Sequence, residues 1–335
     1  MRMIRGAAVA LMVSIGATGA WAQAQDFYRG KSITFIIGYG PGGGVDSASR
    51  IIARHLPRFI PGKPEIIPQN MEGAGGIVAG NHLGLRASRD GLTIGLPGRS
   101  WFVESMVKSP GVTFDATKFV YLGSTGTNNT MLFVRGDLKI KTPEDLKKYP
   151  DKIATAGIGT GTSTVTIPNM LADYGYPLKV VLGYNSSARS LLALEQGEVG
   201  AYFTPEDSFS KRPDLIEKKV VVPIVQSQSS APGIAVLRDL VPKKDLPVLN
   251  LFTAYDQTGL MVVAPPGVPA DRVEILRKAF FEMCNDPEFR KDAANAGEPA
   301  GSPIPGADLD GIIAKLNAAA TPEVVAEYRR LGAAK

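Results

Sequence analysis

The sequence predicts an α/β fold, with mostly parallel sheets carrying helices on both faces, and three observations point to it. Short, apolar, β-branched runs alternate with segments of helical period along most of the 335 residues, a pattern that builds strand–helix–strand units. Capping residues stand before a proline at Thr142-Pro143, Asp286-Pro287 and Thr321-Pro322, each marking a helix entry. Two glycine-rich turns, GYGPGGGVD and GIGTGTSTVT, lie far apart in the chain, each after a strand pattern and before a helix pattern. Two such sites suggest two lobes.

Taken in order, the first residues, MRMIRGAAVALMVSIGATGAWAQAQ, combine Arg2 and Arg5 with an apolar run and small residues at Ala20, Ala22 and Ala24. They predict a secretory signal peptide over 1–24, cleaved after Ala22 or Ala24. The run contains Ser14, Gly16, Thr18 and Gly19 and is short for the roughly 20 residues a membrane span needs. Strands are predicted at SITFIIGY, PEIIPQ, LTIGL, FVYLGS, TMLFVR, KIATAG, KVVLGY, VGAYFT, KVVVPIV and LMVVAP. VDSASRIIARHLPRF is helical, with Val45, Ala48, Ile51, Ile52, His55, Leu56 and Phe59 on one face. Asp46, Arg50, Arg54 and Arg58 form the opposite row, predicted to be solvated. Gly297 and Gly332 stand where the last two proline-opened helices should stop.

Composition narrows the function classes. With 44% hydrophobic and 21% charged residues the chain is an ordinary globular protein. Loss of Arg2 and Arg5 lowers the formal charge from +5 to +3, without the concentrated basic face that nucleic acid requires. No later apolar run reaches membrane length, so a soluble mature chain without stable membrane insertion is expected. Cys284 is the sole cysteine; it excludes an internal disulfide and reads as a buried small hydrophobe.

The first glycine-rich loop has G-x-G-x-x-G spacing at Gly38, Gly40 and Gly43, but the acidic partner of a dinucleotide site is missing, because the second strand ends in Gln69 and Asn70. Pro41 also removes one amide donor. Val45 and Asp46 stand where a phosphate loop needs lysine and a hydroxyl. What remains is Gly42, Gly43 and Gly44 at a helix start, a seat for a carboxylate. The second loop adds Thr160, Thr162, Ser163 and Thr164, and two such loops make a clamp for a small acid. Arg99 and Ser100 occupy another strand-end loop, where the guanidinium can fork onto a carboxylate, and Trp101 beside them suits an apolar wall or the core. His55 and His82 lack metal-ligand neighbours at useful spacing, and no catalytic motif is present. Neither a metal, a cofactor nor an enzymatic activity is expected.

These motifs, in this order, resemble the substrate-binding receptors of tripartite tricarboxylate transporters, the TctC or Bug family. The resemblance rests on Pro41 to Asp46, Gly73 to Gly76, Asp90 to Thr93, Thr142 to Leu146, Gly159 to Thr162, Tyr184, Gly197-Glu198-Val199 and APPGVPADRVEILRKAF from Ala264. It implies a periplasmic, binding-protein-like Venus flytrap with crossovers near Gly123 to Thr130 and Asn250 to Thr258. One domain would take residues 25–126 plus 255–335, the other 127–254. The implied partners are a small carboxylic acid and membrane permease subunits, with the receptor itself a monomer. Carried over by position, the ligand contacts are Tyr39, Gly42, Gly43, Gly44, Asp46, Gly75, Arg99, Ser100, Thr160, Gly161, Thr162, Ser163, Tyr184, Ser187 and Thr204. Three departures from the family pattern bear on ligand identity. Thr204 stands where an aspartate is common, Thr166 or Ile167 where a histidine is frequent, and Asn185-Ser186-Ser187 follow Tyr184. Competing readings are an exported enzyme of nucleotide- or acid-binding type and a sensing module for a membrane kinase.

Overall fold

Three strand–helix units open the first lobe. They are β1 (Ser32–Ile37), α1 (Gly44–His55), β2 (Glu65–Asn70), α2 (Ile77–Leu85), β3 (Thr93–Leu96) and α3 (Trp101–Met106), followed by β4 (Val120–Ser124). The chain then crosses to the second lobe as β5 (Thr130–Arg135), α4 (Pro143–Lys147), β6 (Ile153–Gly157), α5 (Ser163–Asp173), β7 (Leu178–Leu182), α6 (Ser187–Gln196), β8 (Ala201–Pro205), α7 (Asp214–Glu217), β9 (Val221–Gln226) and β10 (Ala235–Val236). Helices α8 (Leu246–Phe252) and α9 (Ala254–Thr258) lead back to β11 (Met261–Ala264), α10 (Ala270–Asn285), α11 (Pro287–Asn295), β12 (Ile304–Pro305), α12 (Gly306–Ala319) and α13 (Pro322–Gly332). This computed structural model describes residues 26–42, 44–158, 162–184, 187–209, 212–298 and 300–332. The signal-peptide segment, Gly43, Gly159 to Gly161 and Asn185-Ser186 lie outside them.

The two six-stranded sheets have one plan. The first runs β12-β4-β11-β3-β1-β2 and the second β10-β9-β5-β8-β6-β7. In each, three parallel strands (β2-β1-β3 and β7-β6-β8) are followed by one antiparallel strand, β11 or β5. That strand is the first to enter its sheet after a crossover. The mostly parallel sheets expected from the sequence are therefore mixed: in the second sheet β5 alone runs against the rest, and in the first β11 and the short edge strand β12 do. β10 and β12, two residues each, are too short for a periodic signal.

Local chemistry explains the helix boundaries. Thr142 and Asp145 form a capping box on α4, and Asp286 caps α11 by accepting from the Phe289 amide. Pro57 converts the end of the first helical run into a 3-10 turn over Leu56–Phe59. In the charged row Asp46 departs from expectation, being buried; Arg50, Arg54 and Arg58 are exposed as expected, and two of them pair across to the α11 segment, Arg54 with Asp292 at 3.0 Å and Arg58 with Asp286 at 2.6 Å. The row is a seam between α1 and α11, made by chain far away in sequence.

Cys284 is fully buried on α10 and burial pushes its thiol up to about 12, as its apolar setting predicts. Trp101 belongs to the core, enclosed by Phe102, Phe114, Phe119 and Tyr121. Helix α13, grouped with the first domain by the sequence reading, packs on both lobes. Tyr328 Oη donates to Glu104 at 3.2 Å and Arg329 to the Val107 carbonyl at 2.7 Å, both on the first lobe. On the second lobe, Asn169 donates to the Leu331 carbonyl at 2.8 Å and Arg330 pairs with Asp173 at 2.5 Å. Among the described residues no helix is long and apolar enough to cross a membrane.

Candidate functional site

Three loops of the first lobe meet at the carboxyl ends of β1, β2 and β3, the edge at which α/β sheets bind ligands. They pack backbone on backbone. A Cβ on Gly38 or on Gly76 would collide with the Pro97 carbonyl, and one on Gly98 would meet the Tyr39 ring at 2.7 Å and the Gly75 carbonyl at 3.1 Å. Gly38, Gly76 and Gly98 thus serve close approach between protein segments, which gives the first glycine of the dinucleotide-like spacing a role without a dinucleotide. Tyr39 is half-buried on this floor, and Gly75, at φ +64°, faces open space.

Asp46 braces the first loop from inside. Its carboxylate accepts from the Gly42 amide at 2.9 Å, from Arg50 Nε at 3.0 Å and from Asn70 Nδ2 at 2.8 Å, while Asn70 also donates to the Tyr39 carbonyl at 2.8 Å. Burial works to raise the carboxyl's pKa, but hydrogen bonds from Arg50, Gly42 and Asn70 together hold it below its ordinary value. The Gly42 amide and the Asp46 carboxylate, both expected to face a ligand, are thereby engaged with each other. Gly44 opens α1 just behind them, its Cβ position 3.4 Å from Arg99 Nη2 and 3.5 Å from Glu298 Oε1.

Arg99 stands where the lobes and crossovers meet. Its guanidinium hydrogen-bonds the Tyr255 hydroxyl and lies over that ring, 4.7 Å from the centroid. Tyr255 also accepts from Asn128 Nδ2 at 3.1 Å, so one tyrosine joins the two crossovers and the arginine. The charge of Arg99 reaches Tyr39 in the first lobe, Tyr202 in the second and Asp256 between them. Burial raises both tyrosines, and Arg99 opposes the rise. Ser100 contributes its carbonyl to the start of α3, accepting from the Val103 amide at 2.9 Å.

Under Arg99 the crossovers are knitted by buried polar groups. Asp256 accepts from Thr130 Oγ1 at 2.6 Å, and its carbonyl takes the Asn128 amide at 3.0 Å. Asn129 donates to Gln226 at 3.2 Å and to Ser230 at 2.6 Å. Burial lifts the Asp256 carboxyl to about 7, against hydrogen bonds from Ser227 and Thr130 and the charge of Arg99.

In the second lobe the hydroxyls are partly spent locally. Thr162 and Thr164 share a 2.7 Å hydrogen bond, and Thr164 accepts from the Ile158 amide at 3.1 Å. Ser163 begins α5 and Ser187 begins α6. Tyr202 donates to Ser187 at 3.5 Å, and buried Thr204 bonds Ser208 at 2.8 Å. Tyr184 places its ring in the apolar cluster of Met131, Phe133, Ala156 and Leu191, and its hydroxyl donates to Glu198 at 3.5 Å. Gly43, Thr160 and Gly161 lie outside the described residues.

A family model described as the tripartite tricarboxylate transporter family receptor, TctC, matches residues 50–300. The chain belongs to this family. It is a TctC solute-binding protein, and it is 26% identical over 292 residues to the UPF0065 protein of the tcbD–tcbE intergenic region of Pseudomonas sp. (strain P51), covering 86% of this chain and 82% of that one. A ligand-free TctC solute-binding protein from Polaromonas superposes with a TM-score of 0.68 at 14% identity, over 91% of this chain and 100% of that one. MatC from Rhodopseudomonas palustris with bound malate gives 0.59 at 17%, covering 91% and 99%. R. palustris Rpa4515 with adipate gives 0.62 at 19%, covering 90% and 98%. At these identities the likeness is one of fold, the two-domain α/β Venus flytrap.

Within this TctC receptor, Asn128, Tyr202, Tyr255, Asp256 and Glu298 escape a residue-by-residue reading. The available signal is that TGTNNT and TAYDQT interrupt apolar runs with polar residues at both crossovers. His55, also read without metal-ligand neighbours, has Asp286 and Glu288 close by. Arg58 fills that cluster, contacting His55 Nδ1 at 2.9 Å, Asp286 and Glu288. Its guanidinium is the cation there.

Proposed function

We propose that this receptor captures a small organic acid between its lobes and presents it to the permease of a tripartite tricarboxylate-type transporter in the periplasm. The observation that carries the reading is the position of Arg99, its guanidinium beside the first residue of α1 and bonded to Tyr255, which also accepts from Asn128 of the other crossover. The ligand carboxylate forks onto Arg99 beside the first turn of α1. Ser163 and Ser187, at the starts of α5 and α6, meet its far side on closure. The malate and adipate held by the R. palustris proteins support an acid of this size. Each helix-terminus contact contributes about 0.3–1 kcal/mol, so affinity comes from many contacts made together in the closed state, which the ligand thereby selects.

Thermal unfolding with a panel of organic acids tests this. An acid at about 100 times its dissociation constant stabilises by about 2.7 kcal/mol, and Arg99→Ala should lose that gain while folding normally. A melting shift with a dinucleotide and none with any acid would overturn the receptor reading.

A further inference from the structure

We infer that Glu298 is an internal competitor for the ligand's carboxylate, and that it sets which acids the receptor accepts. The inference rests on the receptor reading above and deepens it. Glu298 Oε1 and Arg99 Nη2 lie 3.5 and 3.4 Å from one point, the Cβ position of Gly44, the first residue of α1. A carboxylate of the chain itself therefore stands at the positive end of a twelve-residue helix, beside the guanidinium proposed to take the ligand. That is the chemistry an incoming acid would use.

The segment bearing Glu298 ties this carboxylate to the hinge. It follows α11 and leads into β12, whose Ile304 pairs with Ser124 at the end of β4. A Cβ on Gly126, in the first crossover, would lie 3.4 Å from the Ser302 amide nitrogen and 3.7 Å from that of Gly301. The segment bearing Glu298 thus lies against the first crossover. A ligand must outcompete a group with the advantage of being tethered. Acids with one carboxylate and nothing for the second lobe fail to do so, whereas a longer acid adds the contacts at α5 and α6. Selectivity then comes from a repulsive element as well as from attraction.

The test is calorimetric titration of wild type, Glu298→Gln and Glu298→Asp with acetate, propionate, malate and adipate. The amide keeps the shape and removes the charge. Glu298→Gln should bind the dicarboxylates about tenfold tighter, the scale of one charge-assisted hydrogen bond, and acquire measurable affinity for the monocarboxylates. Glu298→Asp, which keeps the charge, should stay near wild type for the dicarboxylates, and equal tightening in it would overturn a charge-based competition. Equal constants for wild type and Glu298→Gln overturn the inference and leave the receptor reading standing, as does weaker binding in Glu298→Gln, which would make Glu298 a ligand contact. Failure of wild type to bind any acid overturns the receptor reading, and the inference with it.

Discussion

Replacing Asp256 by asparagine should remove a pH dependence built into the hinge. The carboxyl is fully enclosed, and its pKa rises from an ordinary 3.8 to about 7 because burial penalises the charged form more than Thr130, Ser227 and Arg99 favour it. The folded state therefore holds this proton more tightly than the unfolded chain. Its contribution to stability is complete below about pH 4 and is lost as pH rises through 7. Over the whole window the shift corresponds to roughly 4 kcal/mol, of which about 3 kcal/mol falls between about pH 5 and pH 8.5. Asp256→Asn is neutral throughout and retains an oxygen for Thr130. Urea unfolding at both pH values, wild type minus variant, cancels every other titrating group. Wild type should lose about 3 kcal/mol more than the variant on going alkaline, so that Asp256→Asn is the more stable protein at about pH 8.5. Equal pH slopes in the two proteins would refute the reasoning, because they would mean that the buried carboxyl ionises in the folded state at its ordinary pKa.

Asp46 should behave in the opposite sense. Its pKa is lowered in the folded state, so its contribution is present above the ordinary value of 3.8 and lost on acidification, and Asp46→Ala, destabilised by about 2 kcal/mol at neutral pH, should show a flatter acid limb in thermal melts. Gly76→Ala puts a side chain at φ +100° against the Pro97 carbonyl; a loss of about 2 kcal/mol or more by urea unfolding, together with weakened acid binding by calorimetry, is expected. Asn169→Ala strands the buried Leu331 carbonyl, costing about 1–3 kcal/mol, seen as a melting temperature lower by several degrees and as earlier proteolysis at the C-terminus.

Much of the architecture is legible in the sequence because strand and helix periods are local. The ten long strands and the capped helices follow from β-branched runs and from Thr142-Pro143 and Asp286-Pro287, whereas the two crossovers are implied only by the family resemblance. What escapes is set by contacts distant in sequence. The arginines of the α1 row are exposed as their spacing predicts, but their partners Asp286, Glu288 and Asp292 come more than 200 residues later and leave no local signal. The loop glycines resemble a nucleotide fingerprint because the sequence cannot show that Pro97 lies against Gly38 and Gly76. Tyr184, one residue past the end of β7's loop glycine, carries no mark that its ring turns into the second-lobe core. Arg99 is recognisable as a strand-end arginine, but its value depends on Tyr255 and Glu298, which topology alone delivers.

The distribution of polar and apolar contacts then limits how the lobes can move. Behind the crossovers one apolar cluster is continuous between them, running from Trp101, Phe114 and Tyr121 through Phe252 and Tyr328 to Leu171 and Leu331. Separating the lobes there would expose apolar surface at about 25 cal/mol per Å², whereas the faces around Arg99 exchange their hydrogen bonds for water at little net cost. Movement is therefore cheapest as a rotation about α8 and α13, with the rear closed and the front free. Helix α13 grips α3 through Glu104 and the Val107 carbonyl, and α5 through Asn169 and Asp173. Those two helices begin at Trp101, next to Arg99 and Ser100, and at Ser163. A strap at the back thus holds the far ends of the two helices whose near ends are proposed to close on the acid, so the rotation that brings Ser163 toward Arg99 must be accommodated within the α13 contacts.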